Sequence, residues 1–212
     1  MTTKQELYTG ALYALGSRKV LTTENVEARR ALDDVYDGVL ATCLEAGSWN
    51  FAMETVELAA DTGVTPNFGY TKVFAKPSDW VRTHAISGDE YLHFPLMQYY
   101  DDSNFWSADV TPIYVRYVSD DTGLGLDLTR WTQAFTRYVE LELAERVCMR
   151  LTQDKGLWEQ LKKDRDQARK RALNRDGMDE SQPKFKPAGS WTESRYGRSG
   201  WGDRGNRGSF TG

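Results

Sequence analysis

Thirty residues at the C-terminal end of the sequence decide how the rest must be read. Residues 183–212 contain no Leu, Ile, Val or Met, yet they hold seven glycines and five aromatic side chains, Phe185, Trp191, Tyr196, Trp201 and Phe210. Six basic and two acidic residues give the segment a charge of +4, so the −4 of the whole chain leaves −8 on residues 1–182. A stretch with so little aliphatic surface cannot offset the entropy lost on ordering and is expected to be disordered by itself. The core must come from residues 1–182, with 183–212 as an extended arm.

Composition narrows the class of protein. An acidic body is a poor receptor for duplex nucleic acid, whose binding domains are usually basic. Two cysteines and two histidines leave little room for a disulfide framework or a structural zinc site. No apolar run approaches the ~18 residues of a membrane span, and MTTKQELYTG lacks the apolar stretch of a signal peptide. The expectation is a soluble protein of a reducing compartment, with no membrane anchor and no cofactor.

Along the body, hydrophobic periodicity predicts helices over about 3–15, 23–46, 127–152 and 157–175. Thr3 and Glu6 have capping-box spacing, and Gly16 and Gly47 stand where the first two helices should stop. Ala28, Leu32, Val35, Val39 and Cys43 form the stripe of the second helix. From Leu128 to Leu151 apolar residues cover more than one face, which predicts a buried central helix interrupted at Gly156. The last helix offers only Leu161, Ala168 and Ala172 among many charges, a stripe so thin that it is expected to pack on another subunit or a partner.

Residues 49–118 read differently. Segments 56–58, 70–76, 81–86 and 113–118 have strand character, with Pro66, Pro77, Pro95 and Pro112 between or at their ends. Asp101-Asp102-Ser103-Asn104 reads as a turn. The fold class is α+β: a mainly helical core with a small antiparallel sheet inserted at about 49–118.

Catalytic signals are absent from the sequence. His84 and His93 lack a neighbouring nucleophile or a second His at ligand spacing and read as structural. Asp101-Asp102 and Asp120-Asp121 supply oxygen ligands without an EF-hand pattern. Neither a GxxxxGK[ST] phosphate loop nor a GxSxG elbow occurs, and Cys43 and Cys148 sit on apolar stripes as small hydrophobes. No enzymatic activity is expected.

The arm carries the strongest remaining chemistry. Its aromatics and arginines, spaced by Gly and Ser, suit docking on a protein groove through Trp191, Arg195, Tyr196, Arg198, Trp201, Arg204 and Arg207. The same residues could stack on and neutralise a single-stranded nucleic acid, and a passive solvated tail is the third alternative.

The order of several short motifs resembles one family, the head-to-tail adaptor (tail tubular protein A-like) proteins of short-tailed bacteriophages. Glu27-Ala28-Arg29-Arg30 leads to Gly47-Ser48-Trp49-Asn50-Phe51-Ala52, similar to the family's close of its second helix. Residues 69–76 followed by Pro77-Ser78-Asp79-Trp80-Val81-Arg82 resemble its tyrosine strand and P-x-D-x-x-R element. Pro112-Ile113-Tyr114-Val115-Arg116-Tyr117-Val118, Leu143-Ala144-Glu145-Arg146 with Leu151-Thr152, Gln167-Ala168-Arg169-Lys170-Arg171-Ala172 and Asp179-Glu180-Ser181 complete the series. The resemblance spans residues 5–182 and departs from the family in the long Gly/Arg/aromatic arm. It implies a structural virion protein at the head–tail junction, made in the host cytoplasm. It also implies a homo-oligomeric ring, a dodecamer, that joins the portal protein to the tail nozzle protein. Such a ring continues the DNA channel used in genome ejection, and family members dock C-terminal extensions on the portal. An acidic body suits that channel, because like charge keeps transient DNA contacts weak. Two rivals come from other classes: a nucleic-acid-binding accessory protein using the arm, and a cell-wall hydrolase, for which no paired carboxylates stand out.

Overall fold

Thr3 opens the first helix as its spacing from Glu6 requires: its hydroxyl accepts from the Glu6 N–H, and the Glu6 carboxylate accepts in return from the Thr3 N–H. The computed structural model describes residues 3–16, 26–66 and 69–179. Among them run helices α1 (Lys4–Ala14), α2 (Val26–Glu45), α3 (Gln133–Leu151) and α4 (Lys155–Asp179). Strands β1 (Met53–Leu58), β2 (Lys72–Ala75), β3 (Trp80–Ser87), β4 (Tyr100–Asp101), β5 (Phe105–Ala108) and β6 (Ile113–Ser119) lie between α2 and α3. The fold is α+β, with the strands inserted between helical pairs.

The central helix is α3, which packs against α1, α2 and α4. Ten of its side chains are buried, including Phe135, Tyr138, Val139, Leu143, Val147 and Cys148. Full burial of a residue such as Phe135 is worth roughly 1.5–3 kcal/mol, and Phe135 sits within 5 Å of three rings, those of Trp49, Phe51 and Trp131. Cys43 and Cys148 are buried in the same core, in keeping with their stripes. No helix among the described residues is long and apolar enough to cross a membrane.

Two helical boundaries differ from expectation. The third helix starts at Gln133 rather than Asp127, because the Asp127 carboxylate accepts from the N–H and hydroxyl of Thr129 and holds a turn. Thr132 then caps the helix by accepting from the Phe135 N–H. The break before α4 falls at 152–154 rather than at Gly156. Gln153 takes a left-handed φ of 53°, and Asp154 Oδ1 caps the N–H groups of Gly156 and Leu157. Gly47 follows the end of α2, as expected, for reasons of space: a Cβ there would stand 2.5 Å from Leu173 Cδ2 on α4.

The expectation for the last helix needs a larger correction. Its thin stripe is satisfied within the chain, since Leu161, Ala168 and Ala172 are buried in the common core. Polar contacts add to them. The Asn50 backbone N–H donates to Asp176 Oδ1 at 3.0 Å and its side-chain amide to the Asp176 carbonyl at 2.9 Å.

The β-insertion holds two three-stranded antiparallel sheets, β1-β6-β3 and β2-β5-β4, where the sequence suggests one. Inward-facing Ile113, Val115 and Tyr117 of β6 alternate along one face. They form a second apolar cluster with Phe74, Ile86, Trp106 and Ala108 from both sheets. The turn at 101–104 is present as the link from β4 to β5, with the Asp102 N–H donating to the Phe105 carbonyl.

Candidate interaction surface

Ser87, at the end of β3, organises the loop between β3 and β4. Its hydroxyl donates to the Phe94 carbonyl at 3.0 Å and accepts from the Asp89 N–H at 3.0 Å. The Asp89 carbonyl accepts from the Leu92 N–H, and its carboxylate from the His93 N–H. The Leu96 N–H donates to the Ile86 carbonyl at 2.7 Å. Leu96 and Tyr99 pack inward on the second cluster, which fixes the register of the loop. Leu92 has a φ of 54°, a left-handed conformation costing a β-carbon-bearing residue roughly 1–2 kcal/mol. A loop fixed in this way turns Tyr91, Phe94 and Met97 outward, at 68%, 77% and 89% exposure.

His93 stacks on Tyr91 and approaches Asp89 Oδ2 at 3.5 Å. It is an exposed loop residue rather than a core histidine, and His84 is exposed on β3. Glu90 adjoins the Tyr91 hydroxyl and raises its pKa. The loop surface is thus aromatic and acidic at once.

Behind the loop, one hydroxyl joins the two sheets. Thr83 Oγ1 accepts from the indole N–H of Trp80 at 3.1 Å and of Trp106 at 3.0 Å, and donates to Asp101 Oδ2 at 2.8 Å. Lys76 pairs with the same carboxylate, while its ammonium lies 3.4 Å from the centre of the Trp80 ring. Asp101 is therefore engaged by a cation and a hydroxyl of the fold. At the other end, Asp79 accepts from the hydroxyls of Ser119 and Tyr117. Burial pushes the Asp79 carboxyl up, but those hydrogen bonds outweigh it and hold it below the ordinary range. Asp120 is raised, first by burial and then by the charge of Asp79. Among the described residues no group of three or more His, Cys, Asp or Glu is placed to hold a metal ion.

The helical side presents several grooves, two of them away from α1. One, of about 580 Å³, runs between α2 and β3 and is lined by Leu40, Leu44, Val81 and Leu128, with Asp37, Glu45 and Asp120 at its margin. The other, of about 270 Å³, lies between α3 and α4 over Ala134, Leu141 and Ala168, with Arg137 and Arg171 beside it. Beneath the α3–α4 contact, the buried Glu142 carboxylate accepts from Arg146 Nε at 3.1 Å and Arg165 Nη1 at 3.0 Å. Glu145 is raised by burial, its nearest cation being Arg165 at 3.4 Å.

The residues assigned to docking from the sequence, Trp191, Arg195, Tyr196, Arg198, Trp201, Arg204 and Arg207, all lie outside the described residues. Residues of two of the motifs quoted for the family resemblance fall at structural joints, while others lie within α2, α3, α4 and β6. Trp49 donates to the Cys43 carbonyl and Asn50 holds α4, while Arg82 reaches the Glu45 carbonyl. Sequence reasoning treats the exposed loop only as a connection within the β-region. Its signal is a density of apolar and aromatic side chains, seven in the ten residues 91–100, without strand alternation. No protein-family model matches the chain, and no curated protein matches it with significance.

Proposed function

We propose that this chain is a structural virion protein, a ring-forming head-to-tail adaptor that joins the portal to the tail nozzle and continues the DNA channel. The observation that carries this reading is the loop between β3 and β4. Three large apolar side chains are held outward by a hydrogen-bonded frame on a body that has its own buried core. A free subunit gains nothing from such a loop, whereas an assembling one buries it against a neighbour. The ordered series of family-like motifs supports the same assignment, as do an acidic body and a basic aromatic arm. In this reading the arm docks on the portal through Trp191, Arg195, Tyr196, Arg198, Trp201, Arg204 and Arg207.

Native mass spectrometry of the full chain, alone and with purified portal rings, tests it. The expected result is a closed multimer with portal, and loss of portal binding on deletion of residues 183–212 while the body stays folded. Unchanged portal binding by the truncated chain would remove the docking role of the arm. The charge and aromatics of that arm favour one second reading, a nucleic-acid-binding accessory protein. It requires salt-sensitive binding to single strands that Trp201→Ala abolishes.

A further inference from the structure

Two surfaces of this one chain are complementary. The loop between β3 and β4 shows Tyr91, Phe94 and Met97 beside Asp89 and Glu90, and residues 53–119 around it contain nine acidic and four basic residues. The groove between α3 and α4 is apolar at its floor and cationic at its rim, and α4 carries eight basic and five acidic residues. Arg137 is held by Glu140 at 2.9 Å, but no carboxylate among the described residues pairs with Arg171. Asp164 also lines the groove and accepts from Gln160. At about 270 Å³ the space falls below the ~300–1,000 Å³ of small-molecule clefts and suits one or two side chains.

We propose that the loop between β3 and β4 of one copy seats Phe94, with Tyr91 alongside, in the α3–α4 groove of the next copy, where Glu90 meets Arg171. This rests on the ring reading above and specifies how neighbouring subunits hold one another. The two surfaces differ, so the contact is heterologous: each copy offers a loop to one neighbour and a groove to the other, and the series closes into a ring when the rotation permits. Pairing loop against loop would bring two sets of Asp89 and Glu90 together, which like-charge repulsion opposes. The hydrogen bonds of Ser87 and Asp89 fix the loop before contact, so little ordering entropy is lost on docking.

Charge reversal in the full chain tests the proposal, with assembly on purified portal rings followed by light scattering and native mass spectrometry. Glu90→Lys and Arg171→Glu, both at exposed positions, should each raise the concentration for half-assembly by about tenfold or more, leaving the thermal midpoint of the body unchanged. Both substitutions in one chain should restore most of the loss. Phe94→Ser should weaken assembly without any charge partner to rescue it. Variants that assemble at the wild-type concentration would overturn this interface and leave the ring standing. Loss in both singles without rescue in the double would overturn the Glu90–Arg171 pairing. A wild-type chain that stays monomeric, alone and with portal, would overturn the ring itself.

Discussion

Thr83 shows how much of the β-region depends on a single oxygen. Its hydroxyl serves two indole donors and one carboxylate, using every hydrogen-bonding capacity it has. Thr83→Val keeps the shape and strands both indole N–H groups. The expected cost is about 1–3 kcal/mol in urea unfolding, accompanied by a change in the native tryptophan emission. Nothing in the sequence marks this residue, because its partners come from 3, 18 and 23 positions away and meet only when the two sheets pack. Thr3 is the opposite case. Its partner is three residues on, and the capping box is legible at once. Cys43 is also legible from its stripe, and burial pushes its thiol up to about 12, the state of an inert core residue.

Elements are legible where periodicity is long and unreliable where a side chain overrides it. Leu128 and Trp131 continue the apolar spacing of α3 toward its N-terminus, yet the Asp127 turn and the Trp131 indole bond to the Gly125 carbonyl hold that stretch out of the helix. Strand β5, with the sequence Phe-Trp-Ser-Ala, shows no alternation and three adjacent buried residues, so period-two reading passes over it. Helix α4 misleads in another way. Its attachment is partly ionic, and a search for apolar stripes does not register a carboxylate such as Glu142, only 2% exposed between Arg146 and Arg165. Arg165→Met is expected to destabilise by about 2–3 kcal/mol, below the ~3–5 of a fully buried pair because Arg146 remains. Adding Glu142→Leu should recover part of that loss, since it removes a buried carboxylate left with one cation instead of two. Chemical denaturation of the two variants and the double variant checks both statements.

Across the protein as a whole, opposing carboxylates shape the response to acid. Asp79 is held below the ordinary range, so its stabilising contribution is present above about pH 4 and is lost as pH falls through its folded value. Asp120 and Glu145 are raised, so folding binds their protons more tightly and stability rises as pH falls toward the ordinary carboxylate range. The expected profile has its maximum on the acid side of neutrality and a steep loss below it. Urea midpoints across that range should show Asp120→Asn flattening the upper side and Asp79→Asn flattening the lower. The clamp of Asn50 on Asp176 also decides how the protein takes a load. Asp176 lies three residues before Asp179, so a pull applied at Asp179 reaches this clamp before it reaches the rest of the helix. Force then enters at the Trp49–Ala52 corner, across the hydrogen bonds of Asn50 to Asp176, instead of peeling α4 open turn by turn. In mechanical terms, Asn50 is a fixing point for the end of α4, and tension on that helix is borne by the junction of α2, β1 and α4.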